Sequence, residues 1–154
     1  TLTHKRMKKR IFFTIVGCLT VLSLISCHPD KSRGTYYTYI NQTASTITIE
    51  CYYGRVPENE VVNPDDLYKT LTIPAGEKNT VVFDGRAFAE PFGWQNRAGV
   101  YLLVKNEKVK VFDAEGDDSL RAMETYTLTS ASDTVRHYEY VFTDDYFKDG
   151  EPIE

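Results

Sequence analysis

Apolar and polar positions alternate in short runs from Thr35 onward, with Tyr, Thr, Ile and Val prominent, the residue types that suit a pleated surface. Tyr36 to Asn41 predicts a first strand and Thr46 to Tyr53 a second, with Gln42 to Ser45 as the turn between them. In the second, Ile47, Ile49, Cys51 and Tyr53 share one face and Thr48, Glu50 and Tyr52 the other, so that one side is buried and the other wetter. Gly54 to Asp66, with Pro57, Pro64 and several acids, reads as a loop. Tyr68 to Ile73 resumes as a strand with Leu71 and Ile73 inward, stopped by Pro74, Ala75 and Gly76. Thr80 to Asp84 is a further apolar run. After an irregular segment from Arg86 to Gly99, Val100 to Val104 and Lys108 to Phe112 flank Lys105, Asn106 and Glu107 as a hairpin. Ala114 to Ser119 is an acidic loop, and Leu120 to Met123 fits one helical turn. Thr125 to Leu128 and Arg136 to Phe142 read as strands, the latter with Tyr138, Tyr140 and Phe142 on one face, and Thr143 to Lys148 fits a closing helical turn. Some eight short strands without a long amphipathic helix predict an all-β fold, a single antiparallel β-sandwich, with a small barrel as the competitor.

A different pattern precedes this one. Met7, Lys8, Lys9 and Arg10 lead into the apolar stretch Ile11 to Ile25, followed by Ser26 and Cys27. The 15 residues of that stretch fall short of the roughly 20 that a membrane-spanning helix needs, and the basic flank is on one side only. These are the features of a secretory signal peptide. Leu24, Ile25, Ser26 and Cys27 match the bacterial lipobox, in which the cysteine becomes the lipidated first residue. An uncleaved membrane anchor is the competing reading. The expected organisation is upstream residues and signal peptide over 1–26, with the natural start at Met7, a lipid-anchored tether over 27–34, and the sandwich domain over 35–154. A diacylglycerol and an acyl chain on Cys27 would hold the protein stably at a bilayer, since a single chain holds only marginally.

Cleavage changes the charge. Five of the 18 basic residues and none of the 22 acidic ones lie in 1–26, so 13 basic face 22 acidic residues afterwards, a formal −9 over 128 residues. Nucleic acid and anionic membrane surfaces reward positive charge and become poor partners. Of the three cysteines, Cys18 lies in the signal core and Cys27 carries the lipid, which leaves Cys51 without an intramolecular disulfide partner. Its alternation with Ile47 and Ile49 predicts a small buried hydrophobe.

The stretches "TYINQTASTITIE", "LTIPAGE" before "TVVFDG", and "YEYVFTDDYF" together resemble a group of small Tyr-rich lipoproteins from Bacteroidota, including gut Bacteroides. The likeness runs from Thr35 to Phe147. It implies a β-sandwich lipoprotein of the cell envelope, in a group largely without assigned activity, so no functional residue carries over. Location at the outer membrane is the expectation. His28, Pro29, Asp30 and Lys31 contain one acid where surface-exported lipoproteins of these bacteria carry an acidic run, which leaves the surface and periplasmic faces both open.

Candidate chemistry is sparse. After Cys27 the only histidines are His28 and His137, too few for a zinc site, and no phosphate-cradling glycine loop is present. No cofactor is expected. His137 reads as solvent-facing or as making one structural hydrogen bond. Asp65 with Asp66, Asp117 with Asp118 and Asp144 with Asp145 are adjacent acids, whereas glycoside hydrolysis needs two carboxyls facing across a cleft. Asp113, Glu115, Asp117 and Asp118 around Gly116 are the nearest approach to a calcium loop, but a solvated acidic loop is the simpler account. Phe92, Trp94, Gln95, Asn96 and Arg97 combine rings, amides and a guanidinium and form a possible platform for a glycan or peptide; the rival account has Trp94 plugging one end of the core. Asp118-Ser119-Leu120 and Asp133-Thr134-Val135 resemble the acceptor pattern for O-glycosylation in Bacteroidota, which would require Ser119 or Thr134 to be exposed. The resulting expectation is a non-catalytic envelope lipoprotein that binds a glycan or protein through loops at one end of a sandwich. A small hydrolase using loop carboxylates and a purely structural envelope component are the alternatives.

Overall fold

A computed structural model describes residues 31–89, 91–92, 99–113, 116 and 118–153. The chain divides into two units, Thr1–Lys31 and Ser32–Glu154, and the fold below is that of the second. Residues 1–30, with Cys27 and the segment expected to be a signal peptide, lie outside the described residues.

Among the described residues nine strands form two sheets: β1 (Arg33–Asn41), β2 (Ile47–Tyr53), β3 (Leu67–Ile73), β4 (Lys78–Gly85), β5 (Val100–Lys105), β6 (Val109–Asp113), β7 (Thr127–Ala131), β8 (Val135–Phe142) and β9 (Glu151–Pro152). One sheet has the order β4-β1-β8-β7 and the other β3-β2-β5-β6-β9. Neither closes on itself, and their inner faces share one core, so the architecture is a β-sandwich. Tyr37 and Tyr39 from β1 and Tyr138 and Phe142 from β8 meet Ile47, Ile49 and Cys51 from β2, Leu71 and Ile73 from β3, and Val100, Leu102 and Val104 from β5. Strand side chains alternate between faces, which is why every second residue of β1 from Thr35 to Asn41 is buried.

Most ladders are antiparallel, as the pattern predicts, including the β5–β6 hairpin. One is not: β1 runs parallel to β8, from Gly34 opposite Val135 to Asn41 opposite Phe142. Parallel partners need a long crossover, so no local turn announces them. Two of the turns read from the sequence also carry the chain from one sheet to the other. β1 and β2 pair in different sheets, as do β3 and β4, whose link passes through Pro74 and Gly76. The helical turns are 3-10 turns at Pro64–Asp66, Met123–Thr125 and Asp144–Phe147.

The two outer faces differ. That of the five-stranded sheet is covered by the 54–66 loop, whose Val56 and Val62 pack with Phe112 against buried Tyr52, Tyr101 and Leu103. Gly54 and Gly99 let the loop leave β2 tightly. Both have positive φ (104° and 84°), the Gly54 N–H donates to the Gly99 carbonyl at 3.1 Å, and a Cβ on Gly99 would stand 2.9 Å from the Gly54 oxygen. The outer face of the four-stranded sheet has no such cover among the described residues.

Cys51 behaves as its spacing predicts. It is fully buried, and burial pushes its thiol up to about 12, against smaller opposing contributions from the Tyr68 hydroxyl and Lys69. Thiolate is the reactive form. Cys51 in the native protein is therefore expected to resist a disulfide-exchange reagent at pH 8 and to label promptly in denaturant. Stoichiometric labelling of native protein on the timescale of a small thiol would contradict this.

Candidate functional site

Of the residues singled out in the sequence, the described ones, Phe92, Ser119 and Thr134, do not share one site. Trp94, Gln95, Asn96 and Arg97 lie outside the described residues, as does Cys27. Phe92 is described and is not a ligand platform. It is 4% exposed, its ring lies 5.5 Å from that of Tyr39, and its carbonyl accepts a hydrogen bond from the Tyr68 hydroxyl at 3.5 Å. Its φ of 60° is unusual for a residue with a side chain. Phe92 is thus part of the hydrophobic core.

The segment leading to Phe92 is drawn against β1. Ala89 donates its N–H to Thr35 Oγ1 at 2.9 Å and accepts from the Tyr37 hydroxyl at 2.7 Å. Phe88 lies beneath two guanidiniums, Arg136 at 4.0 Å and Arg33 at 5.6 Å from the ring centroid, and Arg33 also donates to the Arg86 carbonyl at 2.6 Å.

Ser119 is buried, and its hydroxyl donates to Asp113. An acceptor for a glycan in the folded domain must present that hydroxyl to solvent, so Ser119 does not meet the condition set by the sequence reading. Thr134 is half-buried in the turn between β7 and β8, where its carbonyl accepts from Gly34 N–H at 2.8 Å.

Asp113 is also inward, and its carboxylate is engaged by protein donors rather than offered to a cation. Besides Ser119 it accepts from the Leu120 N–H at 2.9 Å and the Tyr146 hydroxyl at 3.2 Å. Burial raises its pKa above the ordinary aspartate value, although these three hydrogen bonds oppose that rise. The network continues through Tyr126, whose hydroxyl lies 2.6 Å from the Leu120 carbonyl and 3.2 Å from the Tyr39 hydroxyl. Burial pushes both tyrosine hydroxyls up, so this is a chain of neutral donors inside the core. It ties β6 to β1 and supplies no group exposed to a substrate.

What the fold does present is the open face of the four-stranded sheet. Its register aligns Tyr36 with His137 and Val82, Thr38 with Glu139 and Thr80, and Ile40 with Val141 and Lys78. Tyr36 and His137 stack with centroids 4.5 Å apart and planes inclined by 17°. Thr38 and Thr80 share a hydrogen bond at 2.9 Å. Val82 and Val141 are 47% and 42% exposed. A shallow groove of about 410 Å³, lined by Ile40, Gly76, Glu77 and Lys78, opens at one end of the face. Chemically this is a flat surface of rings and methyl groups interrupted by hydroxyls, a carboxylate and an ammonium. It suits contact and orientation by hydrogen bonds better than bond cleavage. The sequence signal was the alternation within Tyr36 to Ile40 and Val135 to Val141, but the pairing of the two strands was needed to place Tyr36 on His137.

No protein-family model matches this chain, and no curated protein matches it either.

Proposed function

We propose that this protein is a lipid-anchored component of the bacterial cell envelope, held through Cys27, and that its sandwich is a non-catalytic binding module for a glycan or protein. The resemblance to Tyr-rich Bacteroidota lipoproteins and the lipobox support the location. The observation that carries the binding role is the asymmetry of the outer faces. One sheet covers its aromatic residues with its own loop, whereas among the described residues no loop covers the half-buried Tyr36–His137 stack and the exposed Val82 and Val141 of the other. Ring faces cover the apolar faces of sugars or side chains, and the neighbouring hydroxyls, Glu139 and Lys78 set the orientation. In this reading the binding surface is the face of the β4-β1-β8-β7 sheet, distinct from the loop at 92–97.

The test uses the full chain expressed with its signal segment, purified in detergent and screened against a glycan array and an envelope-protein panel. Binding is expected to fall at least tenfold in Tyr36→Ala with the unfolding midpoint within a few tenths of a molar of urea. A ligand whose affinity ignores Tyr36→Ala and His137→Ala would move the site elsewhere. Absence of acyl label on Cys27 would remove the anchor.

A further inference from the structure

Among the described residues the sheets expose four edges, and three are blunted in ways that discourage pairing with another strand. β7 is five residues long and its register with β8 shifts between Leu128 and Ser130. β9 has two residues, one of them Pro152, which lacks an N–H. β3 has its Thr72 carbonyl occupied by Asn79 Nδ2 at 3.0 Å, and its register with β2 is broken beside Cys51. β4 is different. It is eight residues long, contains no proline, and keeps an unbroken register with β1 from Gly85 opposite Arg33 to Lys78 opposite Ile40. No strand lies on its other side among the described residues. None of its residues is fully buried, although Val81 and Phe83 point to the core side and pack against the core. Along this edge no further strand follows β4 among the described residues, and the Lys69 ammonium of β3, 5.0 Å from the Phe83 ring centroid, reaches over it.

We infer that β4 pairs with β4 of a second copy of this chain in an antiparallel ladder, joining two four-stranded sheets into one of eight strands. The charges select both the partner and the register. A continuous face requires outward residues to lie opposite outward residues, because strand side chains alternate. Lys78, Thr80, Val82 and Asp84 form the outward set. Centring the two-fold axis on Val81 sets Lys78 opposite Asp84 of the partner subunit at both ends and Thr80 opposite Val82 of the partner subunit. On the core side Val81 then meets its own copy and Asn79 meets Phe83 of the partner subunit. A slip of one residue sets outward residues against inward ones. A slip by two leaves at least one of these charges without its opposite. The lysine and aspartate that cap this strand thus serve as complementary ends of one self-matching edge, and opposite charges directly across a ladder are favourable. Pairing would also cover the half-buried Val81 and Phe83 and lay two Tyr36–His137 stacks on one continuous face. It stands on the geometry of β4 alone, whether or not that face binds a glycan.

The test combines mass and charge exchange on the full, processed chain. Sedimentation equilibrium in density-matched detergent is expected to give a dimer. Lys78→Asp sets acid against acid and should weaken association at least tenfold, as should Asp84→Lys, while the double exchange Lys78→Asp with Asp84→Lys should restore it. Co-expression of a Thr80→Cys chain with a Val82→Cys chain should yield a disulfide-linked heterodimer under mild oxidation, in excess over either homodimer; unchanged far-ultraviolet circular dichroism controls for folding. A monomeric wild type at concentrations of tens of micromolar, a dimer indifferent to Lys78→Asp, or failure of the double exchange to rescue would each overturn the pairing.

Discussion

Asn41→Ala is expected to lower the unfolding free energy by about 3 kcal/mol, since buried polar groups stripped of partners cost about 1–3 kcal/mol each. Asn41 ends β1 and is 1% exposed. Its Nδ2 donates to the carbonyls of Ser45 at 2.8 Å, Ile73 at 3.0 Å and Pro74 at 3.1 Å. Its Oδ1 accepts from the Thr43 N–H at 2.9 Å and the Thr43 hydroxyl at 2.8 Å. One amide thus holds the β1–β2 crossing and the end of β3 together, at the point where the chain passes between sheets. Alanine leaves the Ile73 carbonyl without this partner and removes the anchor of the turn. Asn41→Asp, which conserves shape, separates hydrogen bonding from cavity formation. It keeps the acceptor but sets a carboxylate beside three carbonyl oxygens, so at neutral pH it should be no more stable than the alanine variant. Urea unfolding with an unchanged slope reads both effects. An Asn41→Asp protein as stable as the wild type would show that the donor side of this hub contributes little.

The second large effect is at Asp113. Asp113→Ala removes the acceptor for a hydroxyl, a backbone N–H and a second hydroxyl in the interior, and is expected to cost about 2–3 kcal/mol at neutral pH. Its pH dependence has a defined sign. Burial raises the folded pKa above the unfolded value, so between the two values the folded state binds more protons than the unfolded one. The contribution of this group to stability is therefore complete below the unfolded value and is lost as pH rises through the folded one. Relative to Asp113→Asn, which cannot titrate, the wild type should gain stability on acidification through that window. A wild type that instead loses stability relative to Asp113→Asn on acidification would mean that the three donors outweigh burial and depress the pKa. Carbon-detected carboxyl titration by NMR would locate the folded value directly.

The open face is less legible than the core. Alternation marks Tyr36, Thr38 and Ile40 as facing away from Tyr37 and Tyr39, yet nothing local says which outer face is covered. Pro57, Pro64 and the acids mark 54–66 as a connection, which ends in the 3-10 turn Pro64–Asp66, but its role as the cover of Tyr52 and Tyr101 depends on Val56 and Val62 packing against them. The burial of Phe92 is hidden from the sequence for a related reason. A ring followed by a glycine, a tryptophan and amides looks like a binding loop, and only the packing on Tyr39 reveals a buried plug. Ser119 likewise sits in an acidic stretch that reads as solvated, while Asp113 draws it inward.

The sequence by itself determined the all-β class, most strand positions, the β5–β6 hairpin and the burial of Cys51, because each follows from period-two alternation and from turn residues acting over a few positions. Only the tertiary structure decided the parallel β1–β8 ladder, the passage of β1–β2 and β3–β4 between sheets, the covering of one outer face, and the exposure of β4 as an unprotected edge. These depend on contacts between residues far apart in the chain. Local propensity specifies that a strand forms, whereas its neighbours are settled by which apolar faces can be buried together.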